Sequence, residues 1–246
     1  WFSLLVSTAL LAAVGIALDL LFAHRFFTFP DPRAVCNLCV RGIPIEEFVF
    51  YITGFWFILF LYVFCDEWFL LKYNVPDEQY ARFRARLKRL VFVHLASAWW
   101  FAGMAIAAII YKRVFNPTGD VLPGYFLFLL CAAYVPFFLF FRVTRQFVNW
   151  RAFVFCLVLT LLISIIWEVT LALPRGYWGY REAAMVGIFI GVWHRLPLEA
   201  VTVWIFSTLV ILVYEFIKIC YFTKVPSVPG YTALRRMGRE WRRKKG

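Results

Sequence analysis

Two short segments of this 246-residue chain have the same pattern, and each leads into a long apolar run. Residues 42–50 are GIPIEEFVF and residues 195–203 are RLPLEAVTV, so a proline followed two residues later by a glutamate opens both runs. An apolar run with one acid near its far end precedes each segment. Asp19 lies 27 residues before Glu46 of the first segment, and Glu168 lies 31 residues before Glu199 of the second. The repeated unit is therefore an acid-bearing helix, a loop and a second helix.

The composition places this unit in a membrane. Hydrophobic residues make up 63% of the chain, aromatic residues 21% and charged residues 16%, whereas soluble domains are about 45–50% apolar and about 25% charged. This excludes a soluble enzyme, a disordered chain and a basic nucleic-acid-binding domain. A membrane-spanning helix needs about 20 mostly apolar residues. Six stretches fit or nearly fit that length: 1–23, 45–65, 90–111, 124–141, 152–173 and 199–220.

These spans predict an all-α fold, a polytopic transmembrane bundle with two parallel three-helix repeats joined by a linker helix. Completing the first repeat requires a helix before residue 1, so we expect seven spans in the parent protein. The predicted units are a first repeat at 1–70, a basic loop with the linker helix at 71–123, a second repeat at 124–221 and a basic tail at 222–246.

Lysine and arginine are distributed unequally between the two sides of this topology. The chain carries 26 of them against 14 acids, for a net charge of +12. One side, which includes the tail, holds 17, the other holds 8, and Lys218 lies within the last span. Positive residues are retained in the cytoplasm during insertion. We therefore expect a multi-pass membrane protein with a cytoplasmic C-terminal tail.

The scarce acids are the chemically informative charges. An ionisable residue inside a span costs about 2.5–3.5 kcal/mol on insertion scales, which makes it a functional candidate by default. From a rise of 1.5 Å per residue, Asp19, Glu46, Glu168 and Glu199 are predicted at similar depth near the non-cytoplasmic face. A single glutamate in the first turn of a helix is also explained by the helix dipole. Repetition with an upstream acid favours the functional interpretation.

The motifs resemble those of the integral-membrane lycopene cyclases of bacteria, archaea and fungi. The resemblance rests on PIEEF at 44–48 and PLEA at 197–200, with Trp167-Glu168 and Tyr177-Trp178 before the second motif and Tyr214-Glu215 after it. It implies an isomerase (intramolecular lyase) that protonates the end of a linear carotene and closes a β-ionone ring without redox chemistry. Three positions depart from the family pattern: Leu18 in place of tryptophan, Glu168 in place of aspartate, and Ala200 in place of a second glutamate.

The resemblance also suggests roles for individual residues. Glu46 and Glu47 are the candidate proton donors, and Asp19, Glu168 and Glu199 are their partners or the accepting base. A carboxyl group in a low-dielectric site resists ionisation, and aromatic faces stabilise a carbocation. The candidate substrate-binding residues are the aromatic side chains near the predicted acid layer: Phe48, Tyr51, Trp167, Trp178, Trp193 and Trp204.

The expected partners are a lipophilic polyisoprenoid or carotenoid substrate and membrane lipids, without nucleic acid. We expect no cofactor, because the sequence has no dinucleotide-binding fingerprint, and no metal, because Cys36 and Cys39 form an isolated pair. Two alternatives remain open. The same acids would serve a proton- or cation-coupled transporter, or the chain would bind a polyisoprenoid without chemistry.

Overall fold

The computed structural model describes residues 2–36, 38–75 and 124–223, with short helical pieces between residues 103 and 115. Most of the described residues are helical, as predicted. Apart from those short pieces, the predicted linker span at 90–111 lies outside the described residues. The predicted basic tail lies outside them from residue 224 onward.

Six helices are named here in chain order. They are α1 Phe2–Phe26, α2 Ile45–Phe64, α3 Gly124–Thr144, α4 Trp150–Trp167, α5 Leu198–Phe206 and α6 Leu209–Thr223. Helices α2 and α4 continue as π-helical turns, Cys65–Phe69 and Glu168–Ala172, and a third π-helical turn lies within α3 at Leu130–Tyr134. Such turns are rare and frequently mark functional sites.

Four of these helical segments are long and apolar enough to cross a membrane: Ile45–Phe69, Gly124–Thr144, Trp150–Ala172 and Leu198–Ile219. Helix α1 makes a fifth if its two parts are one span, because it bends by 58° between Phe2–Ala17 and Asp19–Phe26. The described residues therefore contain four or five of the six spans predicted from the sequence.

Each predicted Pro-x-Glu segment follows a short β-hairpin. The first hairpin pairs β2 (Cys39–Val40) with β3 (Ile43–Pro44), and the second pairs β5 (Phe189–Ile190) with β6 (Leu196–Pro197). Both hairpins reverse through left-handed backbone, at Arg41 and Gly42 in the first and at His194 and Arg195 in the second. In the first hairpin these two residues are the whole loop, and a two-residue loop of this conformation matches the twist of the strands, whereas the second loop has five residues, 191–195. The sequence analysis placed no strands in these loops, so the all-α prediction needs this addition.

A third strand pair joins the two loops to each other. Strand β1 (Phe27–Thr28), directly after α1, pairs antiparallel with β4 (Gly179–Tyr180), which follows α4. The Arg181 amide extends the ladder by donating to the Phe26 carbonyl at 2.8 Å. A Cβ on Gly179 would lie 2.9 Å from the Thr28 hydroxyl oxygen, so glycine permits the close approach. These bonds satisfy backbone groups where two helices end.

Buried apolar side chains form two clusters along the bundle. One cluster joins Ile58, Leu59 and Tyr62 of α2 to residues of α4 and α6. The other lies at the loop end, where Phe26 and Phe27 pack with the first turns of α3 and with the second loop. Helix α1 packs against α2 and α6. The loop-end cluster includes Tyr125, which lies within electrostatic reach of Asp19, Glu168 and Glu199.

Candidate active site

Asp19 lies where α1 bends, just after the break between Phe2–Ala17 and Asp19–Phe26. The Tyr51 hydroxyl on α2 donates to Asp19 Oδ1 at 3.1 Å. The other carboxyl oxygen of Asp19, Oδ2, is buried and has no hydrogen-bond partner among the described residues. A buried carboxyl oxygen without a donor is costly when the group is charged. The geometry therefore suits a carboxyl group that holds a proton.

Glu46 and Glu47 are adjacent in the sequence but have different surroundings. Glu47 is buried and close enough to Asp19 for the two acids to interact electrostatically. Glu46 is more exposed, and its Oε1 accepts the backbone N–H of Cys36 in the preceding loop at 2.6 Å. Of the two predicted proton donors, Glu47 lies near Asp19, and Glu46 holds the loop.

Glu168 begins the π-helical turn after α4, and its carboxylate accepts hydrogen bonds from two side chains. The Trp204 indole N–H donates to Oε1 at 2.7 Å, and the Tyr180 hydroxyl lies 3.2 and 3.1 Å from Oε1 and Oε2. Hydrogen bonds from N–H and O–H groups stabilise the charged form of a carboxylate. Glu168 is therefore better supplied with donors than Asp19.

Glu199, the counterpart of Glu46 in the second segment, accepts the backbone N–H of Val186 through Oε1. Both glutamates thus cap a backbone N–H in the loop that precedes their own helix. Glu199 is more deeply buried and also lies within electrostatic reach of Tyr125 and Tyr134. Asp19, Glu47, Glu168 and Glu199 are together called the acid layer, and their exposed fractions are 2%, 8%, 1% and 1%.

Two tyrosines that were not predicted as site residues from the sequence lie beside the acid layer. The Tyr125 side chain, in the first turn of α3, is buried and interacts electrostatically with Asp19, Glu168 and Glu199. Tyr180 lies in β4, and burial raises the pKa of its hydroxyl well above the ordinary value. This phenol therefore stays protonated and donates to Glu168. Neither residue belongs to the repeated motif, so no spacing in the sequence identified them.

Two groups of aromatic rings, called the aromatic walls, each include a side chain bonded to Glu168: Tyr180 in one and Trp204 in the other. In the first group, Trp178 stacks on Phe27, with ring centroids 4.8 Å apart, and contacts Tyr180 at 5.4 Å. In the second group, Phe50 stacks with Trp167 at 6.2 Å and meets the edge of Trp204 at 5.6 Å.

Most of the predicted substrate-binding residues lie in or beside these walls. Tyr51 contacts Asp19 directly, Trp204 contacts Glu168, and Phe48 packs against the loop-end cluster. Trp193 is different, because it lies in the turn of the second hairpin with 37% of its surface exposed. The structure therefore brings together Tyr51, Phe48, Trp167, Trp178 and Trp204 but not Trp193.

Comparisons with protein-family models, curated proteins and solved structures give no match to this chain. Its chemistry is therefore inferred from the site alone. Among the residues that the structure describes, no group of three His, Cys, Asp or Glu side chains is arranged to hold a metal ion. The chemical groups offered by the site are carboxyl groups, phenols and aromatic faces.

An open recess of about 670 Å³ lies among the loops, away from the acid layer. It is lined by Asp31, Arg33, Ala34, Arg175 and Tyr177. The Arg33 backbone N–H donates to Asp31 Oδ1 at 2.9 Å. This bond, together with a second hydrogen bond from the Arg33 side chain, holds the pKa of Asp31 below its ordinary value. Exposed ions are a poor lining for a hydrocarbon substrate. The acid layer is the better candidate for chemistry.

Proposed function

We propose that this chain is a membrane-bound, cofactor-independent cyclase of carotenoids or related terpenoids. The observation on which this proposal rests is that Asp19 and Glu47 from one half of the chain and Glu168 from the other are all buried, and that Tyr125 lies within electrostatic reach of both Asp19 and Glu168. The reaction is an isomerisation of a lycopene-like linear end group to a β-ionone ring. It needs one proton donor, one proton acceptor and a shelter for a carbocation.

The Asp19–Glu47 pair is the proposed donor. Two neighbouring acids away from water do not both ionise readily, since like charges repel and neither is fully solvated. A shared proton is thus held at the site. Its transfer to the terminal double bond forms a C–H bond, breaks the π bond and leaves a tertiary cation. General acid catalysis of this kind contributes about 10²–10⁴-fold to a rate.

Glu168 is the proposed acceptor. After the ring C–C bond has formed, loss of one ring proton regenerates a double bond, and the carboxylate takes that proton. The indole of Trp204 and the hydroxyl of Tyr180 orient this carboxylate. Oriented groups save the free energy that a mobile base would spend on reorganisation.

The rings of Phe50, Trp167 and Trp204 are the proposed shelter for the cation. Aromatic faces attract positive charge, with up to about 2 kcal/mol or more when water is excluded. Their apolar surfaces also keep water from capturing the cation. Glu46 and Glu199 take loop-positioning roles in this proposal, and Trp193 is assigned no contact with substrate.

The order of elements supports the two-repeat architecture as part of this proposal. Each unit contains a helix, a short strand, a 3₁₀ turn, a hairpin and a second helix, with the 3₁₀ turns at Pro32–Ala34 and Glu182–Ala184. The units run in the same direction, and the linker helix joins them. The distribution of basic residues supports a cytoplasmic tail. The hydrophobic substrate then reaches the acid layer from the lipid.

A proton- or cation-coupled transporter is the second candidate, and one observation favours it. At the other end of the bundle, Lys218 and Glu215 form a buried ion pair with 3.5 Å between Nζ and Oε1, and the Tyr62 hydroxyl donates to the same oxygen at 3.1 Å. Buried charges near both ends of a bundle are typical of ion pathways. Proton uptake by vesicles containing the protein would favour this candidate.

The deciding test is expression in lycopene-accumulating cells, followed by chromatographic analysis of pigments. We expect ring-containing carotenes with the unaltered chain. Glu47→Gln should lower ring formation by at least about 100-fold, because an amide cannot donate the proton. Unchanged lycopene in cells whose membranes hold the folded protein would contradict the proposal. It would leave polyisoprenoid binding without chemistry, or transport, as the function.

The matched control is Glu67→Gln, which removes the same charge from an exposed position in the turn that continues α2. It should leave ring formation unchanged. Equal losses in both variants would indicate an effect of charge on membrane insertion and not on chemistry.

A further inference from the structure

After one proposed turnover, the donor pair Asp19–Glu47 lacks a proton and the acceptor Glu168 holds one, so neither is ready for a second turnover. Each turnover removes one proton from the Asp19–Glu47 pair and leaves one on Glu168. No electrons are gained or lost, so restoring the site requires only that one proton moves back. Both acids are at least nine-tenths buried. The walls that protect the cation from water also separate these acids from the solvent.

Three tyrosines contact or lie near Glu168 and Asp19. The Tyr180 hydroxyl is bonded to Glu168 at 3.1 Å, and the Tyr51 hydroxyl is bonded to Asp19 at 3.1 Å. Tyr125 lies within electrostatic reach of both acids. The Tyr125 and Tyr180 rings have centroids 6.5 Å apart. Tyr51 also lies within electrostatic reach of Tyr125. Waters bridging neighbouring hydroxyls would complete a path, since a water-mediated hydrogen bond is nearly as favourable as a direct one.

We propose that Tyr180, Tyr125 and Tyr51 form an internal relay that returns the proton from Glu168 to Asp19. Each hydroxyl passes its own proton toward Asp19 and receives one from the Glu168 side. The O–H bond on Glu168 breaks, one forms on Asp19, and every phenol ends protonated as it began. The inference rests on the proposed cyclase function and adds residues that do not contact the reacting carbons.

The structure contains features that favour transfer through these hydroxyls. Tyr125 is held by ring contacts with Phe26 and Phe27, each with centroids 5.1 Å from its own ring. The pairing of Phe27 with Tyr180 places a residue of the second half beside the first half. The relay crosses between the halves at the step from Tyr125, in the second half, to Tyr51, in the first. A positioned donor and acceptor need little reorganisation before transfer.

The isotope content of the product tests this relay. Purified protein in lipid vesicles is equilibrated briefly in D₂O and given protiated lycopene, and the mass of each ring product is measured over successive turnovers. Internal return passes the substrate's own proton to the next substrate, so products of later turnovers should contain clearly less than one deuterium per ring. Tyr125→Phe keeps the aromatic ring but breaks the relay. Its products should approach one deuterium per ring.

The same variant should also separate the first turnover from later ones. Tyr125→Phe should form about one ring per protein at the normal rate and then slow by at least about tenfold, because each reset waits for solvent. Tyr180→Phe provides a second break in the relay if Tyr125→Phe does not fold. Tyr214→Phe, a matched change on α6 at the other end of the bundle, should behave like the unaltered chain.

The possible results distinguish the relay from the reaction on which it rests. Ring formation with low deuterium content in the unaltered chain, rising in Tyr125→Phe, supports the relay. Ring formation with one full deuterium per ring at every turnover overturns the relay and leaves the cyclase intact. An unaltered chain that forms no ring overturns the cyclase and the relay with it.

Discussion

Glu46 and Glu47 are adjacent on α2, but Glu46 positions a loop and Glu47 belongs to the proposed proton donor. Glu47 faces Asp19 in the buried layer, while Glu46 accepts the Cys36 amide of its own loop. Successive residues on a helix point about 100° apart, so both cannot face one site. Alanine occupies the position after Glu199. The second half therefore has the loop-holding glutamate but no counterpart of Glu47, and its acid in the layer is Glu168.

This division predicts distinct effects at Glu199. Glu199→Ala leaves the buried Val186 N–H without its acceptor, which should cost about 1–3 kcal/mol of stability. Glu199→Gln retains a carbonyl oxygen and should cost clearly less. Thermal unfolding in detergent measures both. If the glutamine variant kept its stability but lost ring formation, Glu199 would have a chemical role and the loop-positioning assignment would be wrong.

At the scale of elements, the strand pair β1–β4 depends on a close approach of two backbones. A methyl group on Gly179 would meet the Thr28 hydroxyl at 2.9 Å, so Gly179→Ala should destabilise the protein by about 1–3 kcal/mol through overpacking. Adding Thr28→Ala should restore much of the loss, because it removes the opposing atom. Melting temperatures of the single and double variants measure this coupling.

The control for this prediction is Gly54→Ala in α2, where an added Cβ meets nothing within 4 Å. Alanine is favoured over glycine inside a helix by about 1 kcal/mol. Gly54→Ala should therefore be neutral or stabilising. A melting temperature for Gly179→Ala equal to that of the unaltered chain would show that the strands adjust without cost.

The sequence predicted the helices far better than the loops, for a physical reason. A long apolar run such as 152–173 is enough to predict a helix of that length, and the observed segment is Trp150–Ala172. Strands of two residues have too little periodicity to detect. The acids were found because a charge in an apolar run is unusual. Tyr125 and Tyr180 were missed because tyrosine is common at membrane interfaces and contacts between distant segments leave no local pattern.

For the whole molecule, the predicted orientation places the hairpin loops on the non-cytoplasmic side. Cys36 and Cys39 are exposed in the first of these loops. Cys131 is also exposed but lies within the apolar segment Gly124–Thr144, out of reach of a water-soluble reagent, and Cys65 and Cys156 are buried. A membrane-impermeant maleimide should therefore label intact cells, and Cys36→Ser with Cys39→Ser should remove that labelling. Mass spectrometry of the purified protein identifies the modified residues. Labelling of these two cysteines only after the cells are opened would reverse the orientation.

The ladder between β1 and β4 also bears on how such a protein is inherited. One half contributes Asp19, Glu47 and Tyr51 to the acid layer, and the other contributes Glu168 and Tyr180. Neither half contains a complete set, and the strand pair that aligns them draws one strand from each. A gene split between the halves would yield two mutually dependent products, whose loss or transfer separately would leave a cell with no working site. Selection would then act on the halves as one heritable unit, whether or not a peptide bond joins them.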